Sequence, residues 1–381
     1  MSPGSGQALG LLWIKVEMSD SRQVALHPDM ASLDHRSRPP WISAGDLGYL
    51  SALVLATCLD VLPSAVRAGF IYWLSRVAGT IWYSIGQEVV RRVRCHIQVL
   101  FSDAGHAPRS LVRAHLILAS WNALVINLLP SLRDEHLGRL VQIEGLHYLD
   151  EYKERGESIL LLGAHYGTYG FAIAAALSAR GYPVWLVGYG DRRSPPPRTG
   201  RLYKKLYWPR VQRLNQRVRI TTVDPEGESQ QELLEILQSK SDICYLLPDQ
   251  YFVVHPGQRP SSHLVPLRLL DRTVYLDVTG VRLAKQVGAR PLTALPVPGD
   301  RRQRVVIEPL EWAGGGTATT DVARDLQVYL VRLERHLLEC PSFWRDLRRS
   351  DLLPRMGIFK GEGGNYLASR PPNDHGGELE L

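Results

Sequence analysis

Short, wholly apolar runs alternate with amphipathic segments over the C-terminal two thirds of the chain. A run that is apolar at every position indicates a strand buried on both faces, whereas hydrophobic residues spaced three or four apart indicate a helix. The strand-like runs are Ser158–Ala164, Val184–Val187, Val218–Val223, Ile243–Leu247, Pro291–Val297 and Arg304–Ile307, and the helical segments are residues 168–180, 198–214, 228–240, 273–288 and 319–339. This alternation predicts an α/β fold with a mostly parallel sheet flanked by helices and right-handed crossovers. The last strand is expected to be an antiparallel edge.

The preceding part of the chain has helical periodicity only. Leu47–Leu62 is apolar but contains Asp60 and is followed by Pro63, so it falls short of the roughly 20 residues that span a bilayer and is expected to be buried or half-inserted. Val66–Val90 is amphipathic and rich in aromatic residues, a pattern that fits a membrane-interface helix and an ordinary core helix equally well. Two further helices are expected at Gln87–Phe101 and Pro108–Leu129.

These patterns divide the chain into four parts. Residues 1–40 are expected to form a disordered leader, and no signal-peptide pattern occurs there. Residues 41–135 are expected to be helical, residues 136–356 to form the α/β domain, and residues 357–381 to be a disordered tail.

The composition fits a globular α/β protein with a large core. The chain has 381 residues, of which 45% are hydrophobic and 22% charged, enough to bury one large core or two modest ones. Its four cysteines, Cys58, Cys95, Cys244 and Cys340, form no C-x-x-C pair and no cluster at zinc spacing. We therefore expect reduced thiols in a cytoplasmic compartment and no structural metal.

The positive charge is concentrated in one segment. Ten basic residues and no acidic residue lie between Arg192 and Arg219, which exceeds the net charge of +7 for the whole chain. A basic field of this kind attracts a membrane surface, a phosphorylated substrate, an acidic carrier protein or nucleic acid. The alternative is a solvated, arginine-rich surface. Nucleic acid is not the expected partner, because the segment carries no recognised nucleic-acid-binding signature.

The strongest candidate for chemistry is the stretch Ile159–Gly170 (ILLLGAHYGTYG). His165 lies there between a buried strand and a helix of small residues, where the C-terminal edge of a parallel sheet meets a helix N-terminus. Asp249 and Gln250 directly follow another apolar strand, so we expect them at the same edge. A histidine, a carboxylate and a basic patch together favour proton abstraction beside a bound anion. The alternative is a histidine that only satisfies local backbone groups.

No P-loop, Rossmann glycine fingerprint or G-x-S-x-G elbow is present in the sequence, so nucleotide binding and serine hydrolysis have no motif support. Five blocks do follow one another in a recognisable order. They are GAHYGTY at 163–169, LPDQY at 247–251, Val265-Pro266 with Arg272-Thr273, TGVRLAKQVGARPLTAL at 279–295, and CPSFW at 340–344. From about Trp41 to Arg348 their order and spacing resemble the lipid A biosynthesis lauroyl/myristoyl acyltransferase family, which also includes acyltransferases that modify phosphatidylinositol mannosides.

The resemblance implies a parallel α/β acyltransferase-like domain preceded by an N-terminal helical membrane-associating region. It implies transfer of a fatty acyl group to a lipid hydroxyl from an acyl-carrier-protein or coenzyme A thioester, which is a co-substrate rather than a bound cofactor. The expected partners are that carrier and an anionic membrane surface, and the expected location is the cytoplasmic face of the inner membrane.

The resemblance also assigns roles to single residues. In the family's motif a histidine takes the proton from the acceptor, and an acid five residues later orients it. His165 matches the histidine, but Gly170 stands at the position of the acid. Three interpretations remain open: Asp249 supplies the carboxylate, the acceptor is more nucleophilic than a hydroxyl, such as an amine, or catalysis is lost and binding is kept.

A further set of residues is expected to contact the substrate. Amides around Gly167 are expected to stabilise the oxyanion, Tyr166 and Tyr169 to shape the pocket, and Gln250 to contact the substrate. The resemblance implies an arginine that engages a substrate or donor phosphate, for which Arg217 and Arg219 are the nearest candidates, with Arg213 behind them.

Overall fold

Among the described residues, three long helices precede the sheet and pack on one another. The computed structural model describes residues 61–101, 108–129, 132, 134–136, 141–168, 170–188, 218–222, 229–254, 259–299, 303–313, 316–360 and 366–368, with single positions 54, 55, 58, 205, 209 and 212. The helices are α1 (Ser64–Ile85), α2 (Gln87–Leu100) and α3 (Pro108–Leu128). Gly79 lets α1 lie directly against α3, because a Cβ at this position would come within 2.5 Å of the Cα of Ile117.

The centre of the fold is a seven-stranded sheet. The strands in the described part of the chain are β1 (Val141–Glu144), β2 (Ile159–Leu162), β3 (Val184–Gly188), β4 (Arg219–Thr222), β5 (Ile243–Leu246), β6 (Leu264–Leu269), β7 (Arg272–Asp277), β8 (Arg290–Val297), β9 (Gln303–Pro309), β10 (Ile358–Lys360) and β11 (Tyr366–Ala368). The large sheet has the order β1-β9-β8-β2-β5-β3-β4. Strands β8, β2, β5, β3 and β4 are parallel, whereas β9 is antiparallel to β8 and parallel to β1. The carboxyl ends of β2 and β5 therefore lie side by side at the C-terminal edge of the parallel strands, near the middle of the strand order.

Helices cover both faces of this sheet. They are α4 (Leu146–Glu154), α5 (Gly170–Ser178), α6 (Ser229–Gln238), α7 (Thr279–Gln286), α8 (Thr319–Glu339) and α9 (Leu352–Arg355), with two 3₁₀ turns at Pro341–Phe343 and Arg345–Arg348. Alternate residues of β2 enter two hydrophobic clusters: Ile159 and Leu161 join the one with α3 and α5, and Leu160 and Leu162 the one with α8. Because β2 is buried on both faces, every position of this strand is apolar.

The predicted α/β class and mostly parallel sheet are confirmed, and the six predicted strands all occur. The last of them, β9, is antiparallel as expected, but it is not an edge, because β1 pairs with its outer side. The predicted helix at 273–288 is wrong in its first part: residues 272–277 form β7, which makes a two-stranded hairpin with β6, and the helix α7 begins at Thr279.

Several predictions fall on parts of the chain outside the described residues. These are the leader at 1–40, most of Leu47–Leu62 and all but three positions of the helix at 198–214. Within the predicted disordered tail at 357–381, the short strands β10 and β11 pair in an antiparallel manner. The division of the chain into four parts stays a prediction. Among the described helices, none is both long enough and apolar enough to cross a bilayer.

Candidate functional site

The turn that carries His165 is formed by close packing at the end of β2. Gly163 donates its N–H to the Leu246 carbonyl over 2.8 Å, and its own carbonyl accepts the Tyr329 hydroxyl over 2.6 Å. A Cβ at Gly163 would lie within 2.4 Å of the Tyr245 hydroxyl oxygen, so only glycine fits between β2 and that ring. These contacts fix the point at which the chain leaves β2, two residues before His165.

His165 and Asp249 form a hydrogen-bonded pair at this edge of the sheet. The Nδ1 atom of His165 lies 2.9 Å from Oδ1 of Asp249, and the main-chain N–H of His165 donates to Oδ2 over 2.5 Å. The Asp249 side chain is 1% exposed and that of His165 is 26% exposed. An ionised carboxylate can only accept hydrogen bonds, so it favours the tautomer with hydrogen on Nδ1 and a free lone pair on Nε2. The predicted proximity of these two residues is confirmed.

The segment after α8 holds the same turn from the other side. Tyr166 forms an isolated antiparallel bridge with Trp344. The Arg345 N–H donates to the His165 carbonyl over 2.9 Å, and the Gly167 N–H donates to the Phe343 carbonyl over 2.7 Å. The main chain on both sides of Tyr166 is thus hydrogen-bonded to residues 343–345.

Gly167 is a second position that only glycine can occupy. Its φ is +60°, in the left-handed region, and a Cβ would lie within 2.5 Å of the Pro296 Cβ. The Gly167 carbonyl accepts a hydrogen bond from Nδ2 of Asn122 on α3 over 2.8 Å. The N-terminal helices therefore contact the turn directly.

A second carboxylate, Asp346, lies on the segment that is hydrogen-bonded to this turn. Asp346 follows the residue whose N–H binds the His165 carbonyl, and it is 7% exposed. Burial raises the pKa of its carboxyl, while attraction to the His165 imidazole and the Arg349 guanidinium acts in the opposite direction. Asp346 was missed in the sequence because no predicted strand or helix assigned it to an edge. The only indication was its position two residues after the CPSFW block.

Two buried histidines connect the N-terminal helices to the same segment. Nδ1 of His115 on α3 lies 2.9 Å from the Ser342 carbonyl, and Nδ1 of His96 on α2 lies 2.8 Å from the Leu347 carbonyl. A carbonyl only accepts, so both rings donate from Nδ1. Burial lowers the pKa of His115 from 6.5 to about 3, assisted by repulsion from Arg348, and burial also lowers the pKa of His96.

The buried, neutral state of His115 predicts that the protein loses stability in mild acid. His115 stays neutral in the folded protein but binds a proton near pH 6.5 when unfolded, so the unfolded state gains protons first as the pH falls. Each pH unit between about 6 and about 4 should lower the free energy of unfolding by about 1.4 kcal/mol through this one group. Urea unfolding at pH 7, 6 and 5 measures the slope.

The variant His115→Asn keeps a donor for the Ser342 carbonyl and removes the titration, so its stability should depend less on pH. His147 is exposed, and His147→Asn serves as the matched control. Equal pH slopes for wild type and His115→Asn would contradict this assignment.

Two of the predicted substrate-contacting residues, Tyr166 and Gly167, have their polar groups hydrogen-bonded within the protein. Tyr166 is fully buried, its hydroxyl donates to the His336 carbonyl over 2.7 Å, and burial raises its pKa, so it packs the turn and offers no surface to a substrate. The Gly167 amide itself donates to the Phe343 carbonyl, and stabilisation of an oxyanion by the neighbouring amides stays a prediction.

Arg219 lies at the opposite edge of the sheet from His165. It is the first residue of β4, pairs in register with Trp185 near the start of β3, and bonds Asp242 over 3.1 Å just before β5. The prediction that it binds a phosphate at this site is therefore wrong. Gln250 follows Asp249 and is partly exposed, whereas Tyr169, Arg213 and Arg217 lie outside the described residues.

Gly170, at the position of the family's acid, is buried as the first residue of α5. A Cβ there would lie 3.0 Å from Cδ1 of Leu247, so an apolar side chain occupies the space next to it. The carboxylate beside the imidazole is instead supplied by Asp249, from the end of β5.

Within the described ranges, no group of three or more His, Cys, Asp and Glu side chains could hold a metal ion. No protein-family model matches the chain, and no curated protein sequence matches it significantly.

Proposed function

We propose that the chain is an acyltransferase that moves a fatty acyl group from an acyl-carrier-protein or coenzyme A thioester to a hydroxyl or amine acceptor. The observation that carries this proposal is the contact of 2.9 Å between Nδ1 of His165 and the buried carboxylate of Asp249. It supports the first of the three open interpretations, in which Asp249 replaces the family's acid.

In the proposed reaction, Nε2 of His165 takes a proton from the acceptor as the acceptor oxygen or nitrogen attacks the thioester carbonyl. A tetrahedral intermediate forms and collapses, the C–S bond breaks, and the imidazolium returns its proton to the leaving thiolate. Asp249 keeps the ring in the correct tautomer and stabilises the imidazolium. The products are an ester or amide and a free thiol.

The test is mass spectrometry of lipids and small metabolites from cells with and without the gene. We expect an acylated compound that disappears with the gene and returns with the wild-type gene but not with His165→Ala. The competing function is acyl-chain or carrier-protein binding without catalysis, which is favoured by the glycine at position 170. That function would be supported if His165→Ala restored the same products.

We further propose that α1 holds the protein on the cytoplasmic face of the inner membrane. One face of α1 packs on α3, while apolar side chains spaced seven and four residues apart are exposed on the other face. They are Val66, Trp73, Val77, Ile81 and Ile85. Across α1, α2 and α3 the sequence has seven arginines and one acid, Glu88. An apolar face within a basic region fits an anionic bilayer.

The membrane proposal predicts that Trp73→Ser with Ile81→Ser weakens binding to vesicles containing phosphatidylglycerol by about tenfold or more. Both side chains are more than half exposed, at 56% and 54%, so the fold should keep its stability. Vesicle sedimentation measures the binding, and high salt should reduce it.

Val328 and Val331 are exposed on α8, and their replacement by serine is the matched control. The proposal is lost if both double variants bind vesicles equally, or if neutral phosphatidylcholine vesicles bind as tightly as anionic ones.

A further inference from the structure

The piece of chain that carries Asp249 has no regular secondary structure. Residues 247–251 follow β5 and belong to no helix or strand. Outside a helix or a sheet ladder, buried main-chain groups are bound by side chains, and those side chains determine where the chain lies. The Tyr251 carbonyl, two residues after Asp249, accepts a hydrogen bond from Nη1 of Arg355. Two residues of extended chain span at most about 7 Å, so this contact fixes the main chain close to Asp249.

Arg355 is buried and is bound on two sides. It is the last residue of α9 and is 6% exposed. Besides the Nη1 contact with Tyr251, its Nε donates to Oδ2 of Asp351 over 2.8 Å. Nε of Arg349 donates to the other carboxylate oxygen of Asp351 over 3.1 Å. Burial acts to raise the pKa of Asp351, but the hydrogen bonds from Arg349 and Arg355 together outweigh it, so the pKa lies below its ordinary value. The planar guanidinium of Arg355 thus binds one ionised carboxylate and one main-chain carbonyl in a fixed geometry.

One stretch of chain therefore contacts both members of the His165–Asp249 pair. The Arg345 N–H donates to the His165 carbonyl over 2.9 Å, and Arg355, further along the same stretch, binds the main chain next to Asp249. The distance of 2.9 Å between Nδ1 of His165 and Oδ1 of Asp249 depends on where these two contacts place the two main chains.

We propose that Arg355 is a positioning residue for the His165–Asp249 pair. Its Nη1 contact holds the chain after β5 where the Asp249 carboxylate meets Nδ1 of the imidazole. The expected effect on rate rests on the acyl transfer proposed above, in which a displacement of about 1 Å lowers turnover by about 10²-fold.

The variant Arg355→Gln tests this role. Nε2 of glutamine takes the position of Nε of arginine, so a donor to Asp351 is kept, while the charge and the Nη1 contact with the Tyr251 carbonyl are lost. Proton NMR of the full chain detects imidazole N–H protons that a hydrogen bond protects from exchange with water. We expect the Nδ1–H signal of His165, assigned by its absence from His165→Ala, to broaden or disappear in Arg355→Gln.

Two other imidazoles report whether the same stretch stays folded. His96 and His115 donate from Nδ1 to main-chain carbonyls of the segment that contains both 3₁₀ turns. Their signals should remain in Arg355→Gln. An unchanged His165 signal would overturn the proposal. Loss of all three signals would also overturn it, because the arginine would then stabilise the whole segment rather than the chain next to the active-site carboxylate.

Two further arginine variants are compared in the same spectra. Arg355→Lys keeps the positive charge and extends a donor beyond the position of Nε, so it should retain the His165 signal. A lysine variant as impaired as the glutamine variant would contradict the proposed role. Arg349→Gln is the matched control, because it removes a guanidinium from the same carboxylate, Asp351, and it should leave the His165 signal unchanged.

Thiol release from lauroyl coenzyme A, with octylamine or 1-octanol as acceptor, tests the consequence for the reaction. We expect Arg355→Gln to lower kcat by about 10²-fold with little change in KM. An unchanged kcat would overturn the inference while leaving acyl transfer intact. Absence of transfer in the wild type would count against the proposed function, and the His165 signal would still decide the role of Arg355.

Discussion

Alanine at position 165 is expected to lower the rate of acyl transfer by about 10²- to 10⁴-fold, the usual contribution of a general base. The imidazole is 26% exposed and lies at the surface of a turn, so the fold should survive its removal. Release of free thiol from lauroyl coenzyme A measures the rate. Added imidazole should restore part of it, because the truncated side chain leaves room for a small base.

Asparagine at position 249 should cause a loss of similar size by a different route. Its amide would donate to Nδ1 of His165, which would move the ring hydrogen to Nε2 and remove the lone pair that accepts the proton. Since both residues act as one unit, the double variant should be no slower than His165→Ala alone. The exposed His147→Ala is the control. Full activity of Asp249→Asn would show that the pair only stabilises the turn.

Glutamate at position 170 is expected to destabilise the protein, although it restores the acid of the family's motif. Gly170 is buried, and the space that a side chain would enter is occupied by Leu247. Burying an unpaired polar group there should cost about 2 kcal/mol or more. The favourable field at the start of α5 offsets only about 0.3–1 kcal/mol of this. Asp249 already holds Nδ1, so we expect no increase in activity on hydroxyl acceptors.

Gly170→Gln is the matched control for size without charge, and thermal unfolding together with thiol release compares the two variants. The glutamine variant should be destabilised less than the glutamate variant. An active and stable Gly170→Glu enzyme with improved transfer to lipid alcohols would contradict this view of the site and favour a vacant acid position.

The sequence predicted the parallel core well because its strands are buried on both faces. Runs such as Ile243–Leu247 have no polar position, so their limits are clear, and β5 ends within one residue of the expected place. The hairpin of β6 and β7 was missed for a physical reason. Its turn uses Leu270 and Asp271 at φ values of 51° and 54°, a conformation that usually requires glycine or asparagine, so no turn residue marked it.

The sequence predicted correctly the positions of the site residues that directly follow strands, and it failed for residues in other positions. His165 and Asp249 both follow buried strands, and parallel strands bring such residues to one edge. Arg219 is the first residue of its strand, so the same rule assigns it to the opposite edge of the sheet. The prediction grouped Arg219 with the other basic residues of its segment and overlooked its position at the start of the strand. Asp346 lies on a 3₁₀ turn after the last long helix, where no periodic pattern fixes its position relative to the sheet.

The hydrogen bonds between the turn at 165–167 and residues 343–345 also have a consequence for biosynthesis. These partners are about 180 residues apart in the sequence, so the ribosome completes the whole sheet before it releases the segment that fixes the turn. Contacts between such distant residues form late in folding. We therefore expect nascent chains that stop before Pro341 to contain the sheet but not an ordered His165. An incomplete chain would then lack the ordered site required by the proposed acyl transfer until synthesis has passed Trp344.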